Sequence, residues 1–473
     1  MEGFKAGFAR VDITPPLGSF MPGYYKPRYA KSVLDPLQIN MTAFSDGKNT
    51  VLVAQYDTEA LGDWAADAMR DAIVKATGLP RDAILLHASH THDGGYLVPK
   101  TTNGANSLGE KCTTALDDLY VELCISRSAD AAVQAIADLK PAKLSCGRSV
   151  ARRISFVRRY LMKDGKVRTN PGTGNPDVVR PVGTADETVQ VLRVDREGGK
   201  PICIINFQTH PDVVGGETLT ADWPGLTRAV FEAATCGESL CMVINGTQGD
   251  VNHCNVMPLP GELNGLKRDF YAVDRGYDHA KHMANVVAAS ALSVWLKCEA
   301  LEAGEIRYAT SVVRVPAHKA SDSEEKNLAW ANRIWEMHEA GRDAELPWKE
   351  MELTTEVSRA NRIRNMAKHP DYHELPIISF AIGDSVAFGG FPGEPFNEIG
   401  VAVRKASPFK MTILACLTNG SRGYFPFSTS FAEDGYESAT SPFGPTVADD
   451  LIKGETELLA KLHGNSKTEG GSR

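Results

Sequence analysis

The sequence predicts a mixed α/β fold, a sheet core flanked by helices, on three observations. Short aliphatic and β-branched runs recur through the first half, as buried strands do. Segments of helical periodicity separate several of them. Past residue 300 the period changes to alternation, which marks an antiparallel strand with one covered face.

Taken in order, Thr50–Tyr56 (TVLVAQY) is the first strand expected to be buried. An amphipathic helix follows over Trp64–Thr77 and is stopped by Leu79-Pro80. Ala83–Leu86 opens a strand that runs into His87 and His90. A long helix is expected from Ala115 to Leu139, then a strand at Lys143–Cys146. Val189–Val194, Ile202–Phe207 and Leu240–Ile244 read as strands of the same core. Tyr277–Leu301 reads as one long helical segment and Glu305–Val315 as an alternating strand. Ser321–Lys368 is densely charged and helical in pattern, with Trp330, Trp335 and Trp348. It reads as a two-helix insertion whose tryptophans pack on the body, or more sharply as a substrate lid. Pro376–Phe391 and Met411–Leu417 return to strand character. Asn419–Pro445, rich in Gly, Ser, Tyr and Phe, reads as a long ordered loop, uncommon unless functional. No repeat or Pro/Ser-rich linker divides the chain. Residues 1–463 are therefore expected as one interwoven domain, 321–368 as a charged insertion within it, and 464–473 as a disordered tail.

Composition narrows the function classes. At 473 residues, 42 % hydrophobic and 23 % charged, the chain is an ordinary globular protein. A net charge of −8 without a basic run disfavours a nucleic-acid partner. No apolar signal core stands at the N-terminus, and Val286–Leu296 is too short and mixed to cross a bilayer, so no stable membrane anchor is expected. Nine cysteines without a C-x-x-C pair, several inside apolar runs, fit buried thiols in the reducing cytoplasm. A small-molecule substrate is the expected partner, and composition leaves a homo-oligomer open.

Chemistry concentrates where the predicted strands end. His90-Thr91-His92 follows one apolar run; in extended backbone, residues two apart share a side, so both imidazoles would face one cavity. Alone, such a pair is read equally as two loop histidines. His87 lies on the other parity and reads as a core or supporting residue. His210 ends the Ile202–Phe207 run and is followed by Pro211, which stops the strand. Asp222, just beyond, either caps the next helix or orients a ligand imidazole. Gly246–Asn252 carries two glycines among polar residues, so Gly249, Asp250 and Asn252 either line a substrate or oxyanion pocket, bind a second cation, or form a purely structural turn. Glu394 sits rigidly in Pro392-Gly393-Glu394-Pro395, while Glu398 one turn on reads as solvent-facing. Tyr424 and Tyr436 lie in the Asn419–Pro445 segment.

Together these pieces resemble the catalytic domain of the neutral/alkaline (non-lysosomal) ceramidase family. The carriers are Ala6–Pro16 with Gly23-Tyr24, His90-Thr91-His92-Asp93-Gly94, Gly249-Asp250-Val251, Pro392-Gly393-Glu394, Gly423-Tyr424 and Tyr436-Glu437. The resemblance spans about residues 6–445. It implies one Zn2+ held by His90, His210, Glu394 and Tyr424. It further implies that His92 contacts the reacting carbonyl and that Tyr436 and a pocket arginine assist. Val157-Arg158-Arg159 is the nearest match to the family's arginine motif, which makes Arg158 the choice and Arg153 the reserve. Some relatives carry an additional Mg2+ or Ca2+, which no motif here decides. The implied activity is amide hydrolysis of an N-acyl substrate by metal-activated water.

Departures bear on the substrate. Asn252 and His253 stand where the family has serine and proline, and the glycine-rich stretch shrinks to Asp93-Gly94-Gly95. The C-terminal immunoglobulin-like domain is not expected here. A substrate smaller and more soluble than ceramide, a short N-acyl compound or an amino sugar, follows as the expectation. Hydrolysis of an ester, lactone or glycoside at the same site, and a non-catalytic metal-binding pseudoenzyme, are the alternatives.

Overall fold

The computed structural model describes residues 3–24, 27–97, 112–262, 275–319, 327–365, 371–433 and 435–468. Its largest element is a nine-stranded sheet. From one edge the strands run Leu240–Asn245, Ile202–Phe207, Thr188–Arg196, Lys140–Val150, Lys5–Asp12, Gln38–Ser45, Thr50–Tyr56 and Ile84–Ala88, with Glu299–Leu301 added beside Lys140–Val150. The interior pairings are antiparallel, and only the pair at each end is parallel. Each parallel pair is joined through a helix, Asp63–Thr77 at one edge and Asp222–Ala234 at the other. Ile84–Ala88 at one edge and Ile202–Phe207, the inner partner of the parallel pair at the other, are wholly buried, as strands covered by crossover helices must be.

The two edges approach each other. The Asn245 amide N–H donates to His87 Nε2 at 3.1 Å, and Asn245 Nδ2 donates to the Ser89 carbonyl at 2.9 Å. A four-stranded sheet of Ile306–Pro316, Tyr372–Ile382, Val386–Gly390 and Met411–Ala415 supplies the seam. Its last strand runs into Cys416, whose amide donates to Asn245 O and whose carbonyl accepts from His87 Nδ1. Phe380, Phe388 and Ile413 of this sheet share a core with Val53, Leu85, Leu192 and Ile204 of the large one. First-half and second-half strands therefore end at one place.

Helix ends follow local chemistry. Asp63–Thr77 stops at Gly78 in the left-handed conformation (φ 73°), its N–H returning to Val74 O. Ala115–Ala137 opens with a Thr114–Asp117 capping box.

Several expectations need correction. The segment expected as one helix to Leu301 stops at Trp295, and Glu299–Leu301 joins the large sheet, because that edge of Lys140–Val150 is open to pairing. The insertion forms two helices, Leu328–Glu339 and Glu350–Asn365, with 320–326 and 366–370 outside the described residues. Its tryptophans do not pack on the body: Trp335 joins Ile334, Leu346, Val357, Ala360 and Ile363, with Trp330 and Trp348 against them. The charged exteriors of these helices hid a private core. Asn419–Pro445 is not a bare loop but holds the two-residue strand Tyr424–Phe425 and the helices Ser428–Glu433 and Tyr436–Thr440. Elements that short leave no periodic pattern to read. The last helix, Val447–Thr468, runs on into the polar tail, since a formed helix extends at little cost; 469–473 lie outside the described residues.

Candidate metal centre

His90 follows the Ile84–Ala88 strand but not in extended form. Its φ is 76°, left-handed backbone that a residue with a Cβ adopts at a cost of roughly 1–2 kcal/mol. The turn is held by Ser89 N–H to Tyr56 O and His90 N–H to Thr58 O. The expected two-residue parity is therefore not what joins the histidines: a left-handed turn is. It brings His92 Nε2 to 3.4 Å from His90 Nε2. His210 arrives from the other edge, and the two loops are tied by His92 N–H to Pro211 O at 3.0 Å.

Backbone carbonyls set both tautomers. His90 Nδ1 lies 2.7 Å from Glu59 O, and His210 Nδ1 lies 2.8 Å from Gln248 O and 3.2 Å from Val251 O. A carbonyl only accepts, so each Nδ1 carries the hydrogen and each Nε2 presents a lone pair. Both lone pairs point at one carboxylate oxygen: Glu394 Oε2 is 3.2 Å from His90 Nε2 and 3.2 Å from His210 Nε2. With both rings neutral, two imidazole lone pairs and a buried carboxylate oxygen converge, an arrangement that calls for positive charge, from protons or from a metal cation. Zinc bonds of about 2.0–2.2 Å in a tetrahedron put neighbouring donors about 3.3 Å apart. The donor set thus fits zinc. Ring nitrogens of His90, His92 and His210 also lie within 4.8 Å of one another, a cluster that could hold a metal ion.

Electrostatics mirror this demand for positive charge. Burial works against a charged His90, yet Glu394 outweighs it and raises the imidazole to about 9. Burial likewise opposes ionisation of Glu394, but His90 and His210 hold it well below the ordinary carboxylate range. His210 shifts the other way, lowered first by burial and then by Arg158. His92, lowered by burial and by His90, stays neutral. Its Nδ1 is buried without a hydrogen-bond partner, facing Gly23, where an added Cβ would come within 2.5 Å. Tyr24 meets the His92 ring edge-on at 5.5 Å.

Glu394 and Tyr424 are register partners in a parallel two-residue ladder, which explains how the last two implied ligands meet. The Tyr424 ring stacks on His210 with centroids 6.4 Å apart, and its phenol is hydrogen-bonded by Arg158. Burial and Glu394 push that phenol well above its usual range. Tyr436 packs edge-on against Tyr424 at 5.7 Å. Burial raises Tyr436 to about 12 against the pull of Arg158, so it holds its proton at neutral pH.

Arg158 links these groups. Its Nε donates to Glu437 at 2.6 Å and its Nη2 to Gly249 O at 2.8 Å, while Nη1 lies 3.3 Å from His210 Nε2. The reserve, Arg153, instead pairs with Glu262 at the surface. Gly249, Asp250 and Asn252 stand directly behind. Asp250 O accepts from Arg158 N–H, and its carboxylate accepts from Asn397 N–H at 2.7 Å. A Cβ on Gly249 would come within 2.5 Å of Glu394 O. Asn252 bonds Cys254 N–H and Asn170, so the polar atoms of this turn serve the frame. Asp222 neither caps its helix conventionally nor reaches an imidazole: from φ 53° its carboxylate takes the Val213, Val214 and Trp223 amides. His87 is buried core and Glu398 is exposed, as expected.

Sequence reasoning gave no role to four groups the structure brings in. Glu437 is fully buried and also accepts from Thr169 Oγ1; its signal was its place beside Tyr436. The Glu59 and Gln248 carbonyls are backbone groups, which carry no sequence signal. Arg28 bonds Asp93, Gly216 O, Pro22 O and His92 O, clamping the loop after the histidine pair.

No protein-family model and no curated protein matches this sequence. Solved structures do. A neutral ceramidase from Pseudomonas aeruginosa superposes with a TM-score of 0.72 at 15 % identity, over 98 % of this chain and 75 % of that one. A ceramidase complexed with C2 gives 0.71 at 16 %, over 98 % and 76 %. Identity this low speaks for architecture, and on that ground the chain has a neutral ceramidase-like fold.

Proposed function

We propose that this chain is a zinc-dependent hydrolase, an amidase for an N-acyl substrate, with His90, His210, Glu394 and Tyr424 as the ligands. The observation that carries the reading is the convergence of two Nε2 lone pairs and one carboxylate oxygen at 3.2 Å. Bound there, zinc would supply Lewis acidity, which lowers the pKa of water to roughly 7. The chain's own residues supply the rest. His92, neutral and beside His90, orients the carbonyl of the substrate. Arg158, a buried cation beside Tyr424, stabilises negative charge developing on that carbonyl oxygen. Tyr436, protonated at neutral pH, donates to the departing amine. Gly249 and Asp250 hold Arg158 through their carbonyls, and Asn252 braces the end of the same turn.

The three-imidazole cluster favours a second arrangement, in which His92 replaces Tyr424 as ligand and the phenol turns to the substrate. As for the substrate, Arg275 bonds Tyr24 at 2.7 Å and Asp212 at 3.3 Å beside His92, a polar wall that suits a short, soluble N-acyl compound better than ceramide. Buried thiols such as Cys124, Cys203, Cys241 and Cys416 support a reducing, cytoplasmic setting. The test is a panel of N-acyl amides of graded chain length, with esters and lactones alongside, assayed before and after chelation. Amide turnover lost on chelation and restored by zinc supports the proposal. Turnover indifferent to chelation overturns it.

A further inference from the structure

We propose that the helical hairpin Leu328–Asn365 is a clamp on the catalytic tyrosine helix, and that Arg362 is its positioning residue. The inference rests on the reading above in one respect, that Tyr436 takes part in the reaction. Its geometry stands apart from that reading.

Tyr436–Thr440 is a five-residue helix opened by Gly435 at φ 119°, with no side-chain cap at its N-terminus. A helix of that length has no stability of its own in water, so its shape must be imposed from outside. Packing places Glu350–Asn365 directly against it. Buried Arg362 reaches across, and its Nε donates to the Ala439 carbonyl at 2.7 Å. That carbonyl lies in the last turn, where no intrahelical amide remains to take it.

Two hydrogen bonds and one ring contact carry the position of this helix into the site. Glu437 holds Arg158 at 2.6 Å. Ser441 Oγ, just past the helix, donates to Tyr424 O at 2.9 Å. The Tyr436 ring rests on Tyr424. Both tyrosines and the arginine are thereby indexed to one short helix, and that helix to Arg362. The hairpin can serve as a rigid support because Trp335, Leu346, Val357, Ala360 and Ile363 give it a core of its own. Glu352 reaches Arg168 at 3.9 Å, next to Thr169, whose hydroxyl bonds Glu437. Hairpin and tyrosine helix thus both reach the strand that carries Arg168 and Thr169.

Hydrogen exchange separates a clamp from an ordinary surface contact, because the Ala439 and Ser441 amides donate to Gly435 O and Glu437 O within the short helix. In Arg362→Ala, those two amides should exchange about tenfold faster, the loss of one buried charged donor. Bound metal should be unchanged, and kcat should fall about tenfold with KM little altered. In a Tyr436→Phe background the same substitution should cost clearly less kcat than in the parent, the remainder coming through Arg158 and Tyr424. Arg362→Lys, which keeps the charge without the fork, should lie between and carries the test if the alanine variant does not fold. Unchanged exchange at Ala439 and Ser441 overturns the clamp whatever the enzyme does. An equal kcat loss with and without the Tyr436 hydroxyl overturns its link to catalysis. The exchange result holds even if the hydrolase reading fails, so the two failures are distinguishable.

Discussion

His90 and His210 stand just past strands buried on both faces, whereas Tyr424 and Tyr436 stand on a two-residue strand and a five-residue helix. Each histidine is fixed twice, by its strand and by an Nδ1 hydrogen bond to backbone. The tyrosines depend on side chains from elsewhere: Arg158 with Glu437, Ser441 with the Tyr424 carbonyl, Arg362 with Ala439. The histidine side of the proposed metal site is built into the core, while both tyrosines, Tyr424 as a proposed ligand and Tyr436 as a proposed proton donor, are hung on tertiary bonds. Substitutions should therefore separate ligation from turnover.

The sharpest break comes from the histidine side. His210→Ala should lose the cation and about a thousandfold or more in turnover, roughly 4 kcal/mol; full metal content in that variant means the ligand set is wrong. Tyr436→Phe should lower kcat about a hundredfold with metal content intact. Loss of metal there, by elemental analysis, would show that the two sides cannot be separated. Glu437→Gln strips a buried guanidinium of its charged partner. It should lower kcat about tenfold and stability by about 3 kcal/mol in chemical denaturation, again with metal retained.

Glu455 serves as the control away from the site. It is buried, bonded to Ser379 Oγ with its other oxygen unpartnered, and burial raises it to about 8. A carboxyl raised in the folded state contributes stability below about pH 4.5 that is lost as pH climbs towards 8. The slope is at most about 1.4 kcal/mol per pH unit. Glu455→Gln should flatten the fall in melting temperature between pH 5 and 8 and leave turnover unchanged. A slope equal to that of the parent would mean the carboxyl ionises freely in place.

What the sequence disclosed follows the same division. Apolar runs ending in His90 and His210 announced strand-end residues, and the Pro-Gly frame announced a fixed Glu394. The reason His90 and His92 converge was hidden, because left-handed backbone at a histidine has no signature and the expected extended parity was wrong. Convergence of opposite sheet edges through Asn245, His87 and Cys416 is a tertiary fact with no local pattern. Tyr424 and Tyr436 were found by motif, while their supports went unseen: short elements lack periodicity, and Arg362 reads as one more charge on an exposed helix. Trp335 was noticed but assigned to the wrong core, since amphipathicity tells which face is covered and not by what.

The central claim is a cation seated between His90, His210 and Glu394 with Tyr424 beside it. X-ray absorption at the zinc edge, with an anomalous difference map from crystals of the purified protein, tests it most directly. The account predicts one ion with two imidazole nitrogens and two protein oxygens at about 2.0–2.2 Å. A site holding three imidazole nitrogens without the phenol, or no ion between those side chains at all, would contradict it.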